Sequence, residues 1–167
     1  AQHYSLCVLD AEGDYTELEA LPGVLLVGGD DPVPPVGELV RLLRHADVSV
    51  VVDLARLPLA EKRRYVGEAL PALRRLHSSS GLPHRIVLDE AHYFLHDEPA
   101  AAEVVGPDGA FVLVSFRIGE LHPTVLAAMQ VVLATREADP ETASMLRQHR
   151  RGSGDDAGWL GLLSAVP

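Results

Sequence analysis

Five short apolar runs, most of them rich in β-branched residues and each stopping at a polar or acidic tip, leave this chain few architectures. Tyr4 to Leu9 runs into Asp10, Gly23 to Val27 into Gly28-Gly29-Asp30-Asp31, and Ser49 to Val52 into Asp53. Arg85 to Leu88 runs into Asp89-Glu90, and Ala110 to Val114 into Ser115. Near-continuous apolar runs of this length are strands covered on both faces, as in parallel sheets. Between them apolar residues recur at helical spacing, at Val36, Leu39, Val40, Leu42 and Leu43 and again at Val66, Ala69, Leu70, Leu73 and Leu76. Strands alternating with helices predict an α/β three-layer sandwich with a mostly parallel sheet. Ligands of such sheets bind at the carboxyl ends of the strands, where Asp10, Asp53, Asp89, Glu90 and Ser115 would gather.

Further elements follow from local signals. Pro71 should kink or restart the helix running from about Leu59 to Leu76. Asp97-Glu98-Pro99 and His122-Pro123-Thr124 each open a helix, the second running through Met129. Val131 to Thr135 reads as one more strand, and Asp139-Pro140-Glu141 as the start of a last helix carrying Met145, Leu146, Arg147 and Arg150. At 167 residues the chain has the length of a single domain, 1–167, able to bury a core without disulfides. Cys7 is the lone cysteine, which excludes an internal disulfide and fits a reducing, cytoplasmic setting. No apolar run approaches the roughly 20 residues of a membrane span. A net charge of −10 argues against gripping nucleic acid by bulk electrostatics.

Asp89-Glu90 carries the most chemistry. Two adjacent carboxylates at a strand tip are the Walker B arrangement, in which the first acid holds Mg²⁺ through its water shell and the second orients and deprotonates the attacking water. A buried strand that simply ends in an acidic turn explains this stretch by itself equally well. Asp53 is followed by Leu54 and lacks the second acid. His84, His92 and His96 lie near Asp89 in sequence but read as ordinary strand, turn and helix histidines rather than as a metal cluster. Gly28-Gly29 has no following Lys-Ser/Thr and reads as a turn.

Taken together these residues resemble the P-loop ATPases of the HerA, FtsK and conjugation-ATPase group, ring-forming motors that move DNA, and the likeness covers most of the chain. Cys7 to Tyr15 resembles the family's strand with its Asp-Pro-x-Gly-Glu-Tyr signature, with Ala11 for the proline and Asp14 for the glutamate. Val50 to Leu57 is similar to the next strand, Arg85 to Phe94 to Walker B with its Asp-Glu-Ala-His continuation, and Ala110 to Arg117 with Leu121-His122-Pro123 to the sensor strand. Phe116 stands where the family's polar Gln would contact the γ-phosphate or its water.

The resemblance implies a RecA-like P-loop core, ATP and Mg²⁺ as cofactors, a hexameric ring and double-stranded DNA as partner, with no membrane. It implies Glu90 as base, Ser115 and Arg117 as further catalytic residues, Asp89 as metal ligand, and Asp10 and Glu12 with Asp89 at the nucleotide. Arg117, Arg136 and Arg147 are the candidates for an arginine finger, Arg117 first. The phosphate loop Gly-x-x-x-x-Gly-Lys-Ser/Thr is missing, since the sole lysine, Lys62, has no glycine framework. The expectation is therefore a core that lacks its first strand and P-loop, and a chain that by itself neither binds nor hydrolyses ATP. Two other readings remain: an inactive P-loop-like module serving assembly or regulation, and an ATPase unit fused to another enzyme and not acting on DNA.

Overall fold

The computed structural model describes residues 4–105 and 109–134 together with Thr142, Ser144 and Leu146. The five apolar runs form one sheet of β1 (Leu6–Asp10), β2 (Val24–Gly28), β3 (Ser49–Asp53), β4 (Arg85–Leu88) and β5 (Phe111–Leu113). Their order is β2-β3-β1-β4-β5, and every neighbouring pair is parallel. Helices α1 (Val36–Leu42), α2 (Leu59–Ser80), α3 (Glu98–Val104) and α4 (Pro123–Ala128) accompany it. The expected α/β class with a parallel sheet is thus what the chain adopts, in an arrangement consistent with a three-layer sandwich.

From β2 to β3, β3 to β4 and β4 to β5 the chain always advances the same way across the sheet, so right-handed crossovers put α1, α2 and α3 on one face. Leu39, Val66, Leu70, Leu73 and Val104 from those helices join Cys7, Leu9, Val50, Val52, Ile86 and Leu88 in a single buried cluster. Val8 and Val51 point the opposite way and are also buried, outside that cluster. Burial on both faces of the central strands is why their sequences are continuously apolar rather than alternating.

One local expectation is corrected, and of the two outcomes expected at Pro71 the restart does not occur. Helix α2 runs unbroken from Leu59 to Ser80 through Pro71. The ring of a helical proline crowds the carbonyl four residues earlier. Here that residue is Gly67, where an added Cβ would meet nothing within 4 Å. Val131 to Ala134 forms no strand, and Val131 and Leu133 are strongly exposed, because no described strand lies beside them to complete a ladder. The predicted helix starts hold: Asp97 caps α3 by accepting the Ala100 N–H at 3.0 Å, and His122 caps α4. The helix expected after Asp139, with Arg147, falls mostly outside the described residues, as does Arg136. Among the described residues no helix is long and apolar enough to cross a membrane.

Candidate functional site at the β1 and β4 tips

Strand register brings the acids to one edge as their spacing implied. Gly28, Asp53 and Asp10 are level in β2, β3 and β1. Asp89 follows Leu88, the partner of Leu9, and its N–H donates to the Leu9 carbonyl at 3.0 Å. The sheet order adds what spacing alone could not. The chain leaves β1 toward β2 and leaves β4 toward β5, in opposite directions, so the crevice between their carboxyl ends is the topological switch point. Asp10 and Asp89 flank that crevice. Asp53 stands one strand away, where its carboxylate accepts the Ala55 N–H at 2.8 Å and shapes its own turn.

Asp10 is fully buried and already occupied. Its Oδ1 accepts the N–H groups of Glu12, Gly13 and Asp14 at 3.3, 2.8 and 3.2 Å, and its Oδ2 accepts that of Tyr15 at 2.9 Å. A loop whose amides converge on one anion needs a tight reversal, which Gly13 supplies with φ of +85°. Asp10 therefore builds the rim of the crevice and carries Glu12 and Asp14, both exposed, at its mouth. Beneath them lies a residue that the sequence reading passed over. Lys62, on the first turn of α2, is buried, donates from Nζ to the Ala11 carbonyl at 2.6 Å and lies 3.7 Å from Glu12 Oε1. The signal was its phase: Lys62, Val66, Ala69, Leu70 and Leu73 share the buried face of α2 at helical spacing.

Asp89 is 4% exposed, and its Oδ2 has no hydrogen-bond partner among the described residues. Burial, then the neighbouring charges of Glu90 and Asp10, push its carboxyl up to about 6, against a partial offset from a backbone hydrogen bond of Glu90. Glu90 has φ 47° and ψ 47°, the left-handed region, where a residue with a Cβ is strained by roughly 1 kcal/mol or more. Its carboxyl is also raised, first by burial and then by Glu12 and Asp14, with Arg117 pulling the other way. The Tyr15 phenol is held protonated by burial and by Asp89 and Asp10.

Behind Glu90 sits His92, 2% exposed. Its Nδ1 is 3.2 Å from Ser115 Oγ and also 3.2 Å from Glu90 Oε2, although neither that oxygen nor His92 Nε2 has an aligned hydrogen-bond partner. Burial is the main cause lowering the His92 pKa, so the ring is neutral at pH 7. Ser115 Oγ also accepts the Arg117 N–H at 3.1 Å. Phe116 packs edge-on to His92 with ring centres 4.9 Å apart, and the Arg117 guanidinium lies 5.0 Å from the Phe116 ring centre while pairing with Glu120 at 3.1 Å. Glu90, Ser115 and Arg117 are thus brought together, with His92 and Phe116 between them.

A buried carboxylate oxygen without a donor suits a hard cation. Among the described residues no three His, Cys, Asp or Glu side chains converge on one point. A cation at Asp89 would complete its shell with water and phosphate oxygens, the habit of Mg²⁺. Among the described residues, the amides at the β1 tip are taken by Asp10, and Lys62 Nζ by the Ala11 carbonyl, so neither offers a phosphate chain a ready cradle. Gly28 and Gly29 form a turn with φ of 88° and 66°, Gly29 N–H donating to the Asp53 carbonyl at 3.1 Å. His84 is at the opposite end of the sheet, accepting the Ser5 N–H at 3.0 Å and stacked on Tyr4, and His96 is exposed. Compared with protein-family models and with curated proteins, the chain has no match.

Proposed function

We propose that this chain supplies the metal-binding and water-activating half of an ATPase site of the HerA and FtsK type, the phosphate loop being supplied by polypeptide outside these residues. The observation that carries the reading is Asp89 Oδ2, buried and without a donor, next to Glu90 at the switch-point crevice. Asp89 would hold Mg²⁺, which would supply positive charge to the phosphate oxygens. Glu90, its carboxyl raised by burial and by Glu12 and Asp14, takes the proton of the attacking water. Arg117 contributes an exposed guanidinium within one strand tip of that acid. Hexameric assembly and action on double-stranded DNA rest on the sequence resemblance alone.

The test is Mg²⁺-dependent phosphate release from ATP by the full-length protein. Glu90→Gln is expected to abolish turnover while leaving nucleotide binding intact, and unchanged turnover refutes the assignment. One observation favours a second reading, a non-catalytic P-loop-like module: the single lysine and the β1-tip amides are already bound within the chain. Under that reading the full-length protein releases no phosphate at all.

A further inference from the structure

The roles given to Asp89 and Glu90 leave the buried imidazole behind them unexplained. His92 has one neutral-ring proton to offer at Nδ1 and two oxygens at the same distance, Ser115 Oγ and Glu90 Oε2, each 3.2 Å away. In this structure the ring is aligned with Ser115 and not with Glu90, whose Oε2 is left without a donor. Placing the proton on Nε2 instead would point an N–H at a buried spot with no acceptor among the described residues and turn the Nδ1 lone pair toward a carboxylate. The Nδ1–H form avoids both costs.

We propose that His92 is a positioning residue for Glu90, its Nδ1–H hydrogen bond switching between Ser115 and Glu90 so that the segment after β5 sets whether the carboxylate is tied back or open to water. The inference rests on Glu90 being the base of the proposed site. The segment is built to report: Ser115 is fixed by the Arg117 amide, Phe116 lies edge-on against the imidazole, and the exposed Arg117 side chain covers Phe116. Any contact that pulls Arg117 off Phe116 shifts Ser115 away from His92, and a small ring rotation then turns the Nδ1–H hydrogen bond to Glu90, the proton staying on the ring. Phe116 thereby gives this chain an indirect route from the β5 tip to Glu90, in the position where a polar side chain would act on the water itself.

Two measurements test this. In ¹⁵N side-chain spectra of the 167-residue chain, His92 is expected as the neutral Nδ1–H tautomer, with Ser115→Ala moving that proton downfield as it turns to the carboxylate, and Glu90→Gln cancelling the move. An Nε2–H tautomer, or a signal that Ser115→Ala leaves in place, overturns the proposal. In the full-length protein Ser115→Ala is expected to lower kcat about tenfold with KM for ATP unchanged, roughly the effect of one mispositioned hydrogen bond. Adding His92→Ala to Ser115→Ala should recover part of the loss, because no N–H is then left to tie Glu90 back. Active protein indifferent to these changes overturns the relay. Full-length protein with no hydrolysis at all refutes the ATPase reading instead, and the spectra still decide the relay.

Discussion

Replacing Asp89 by Asn should stabilise the chain near neutral pH, and the sign follows from the site. Burial and the charges of Glu90 and Asp10 raise the Asp89 carboxyl from 3.8 to about 6. Between pH 4 and 6 the folded state therefore binds a proton that the unfolded chain releases, so stability falls as pH rises through that window and stays low above it. A shift of about two units at 1.36 kcal/mol each gives a penalty of roughly 3 kcal/mol at pH 7.5. Asn keeps an oxygen for the Glu90 backbone hydrogen bond and carries no charge, so Asp89→Asn should gain about 1–3 kcal/mol at pH 7.5 and almost nothing at pH 4. For a chain of this size that is several degrees in Tm. Urea unfolding of both proteins at pH 7.5, 6 and 4, without divalent cations, reads the difference, in which groups titrating alike in both cancel. A destabilised variant at pH 7.5, or a difference that ignores pH, would refute the account of Asp89 as a strained acid awaiting a cation.

Two more outcomes follow from single residues. Glu90→Gly should raise stability by about 1 kcal/mol, since glycine takes the left-handed conformation without a Cβ clash, whereas Glu90→Ala should not; denaturant midpoints of the two variants separate backbone relief from charge loss. Lys62→Met should cost about 1–3 kcal/mol in the same assay, because it leaves the Ala11 carbonyl and Glu12 without their buried cation, and a neutral result would mean that the buried lysine does not hold the β1 tip.

The sheet was legible because burial on both faces writes itself as continuous apolar runs, and its acidic tips because three of those runs stop at a carboxylate. What spacing could not convey is lateral order. Asp10, Asp53 and Asp89 look alike as strand ends, and only the arrangement β2-β3-β1-β4-β5 separates the two at the switch point from the one beside it. Asp10 shows the limit more sharply: the resemblance implies that it touches nucleotide, yet four amides of its own loop fill its oxygens. That is short-range geometry, set by dihedral angles that residue types barely constrain. Val131 to Ala134 failed because a strand exists only when something pairs with it, and no described strand does.

Under the proposed function the site is a half that is held ready at a cost. Its two central groups are both unfavourable as they stand, Asp89 through an unpaired buried charge and Glu90 through its backbone and its neighbouring acids. Native chains keep such strain where a ligand relieves it, and a cation bound between Asp89 and incoming phosphate oxygens would relieve the electrostatic part at once. If Asp89→Asn and Glu90→Gly both prove more stable, an acidic turn with no task would be a poor account of this pair. A stabilised Asp89→Asn would therefore favour the proposed acid pair over a buried strand that simply ends in an acidic turn, for the Arg85 to Phe94 stretch.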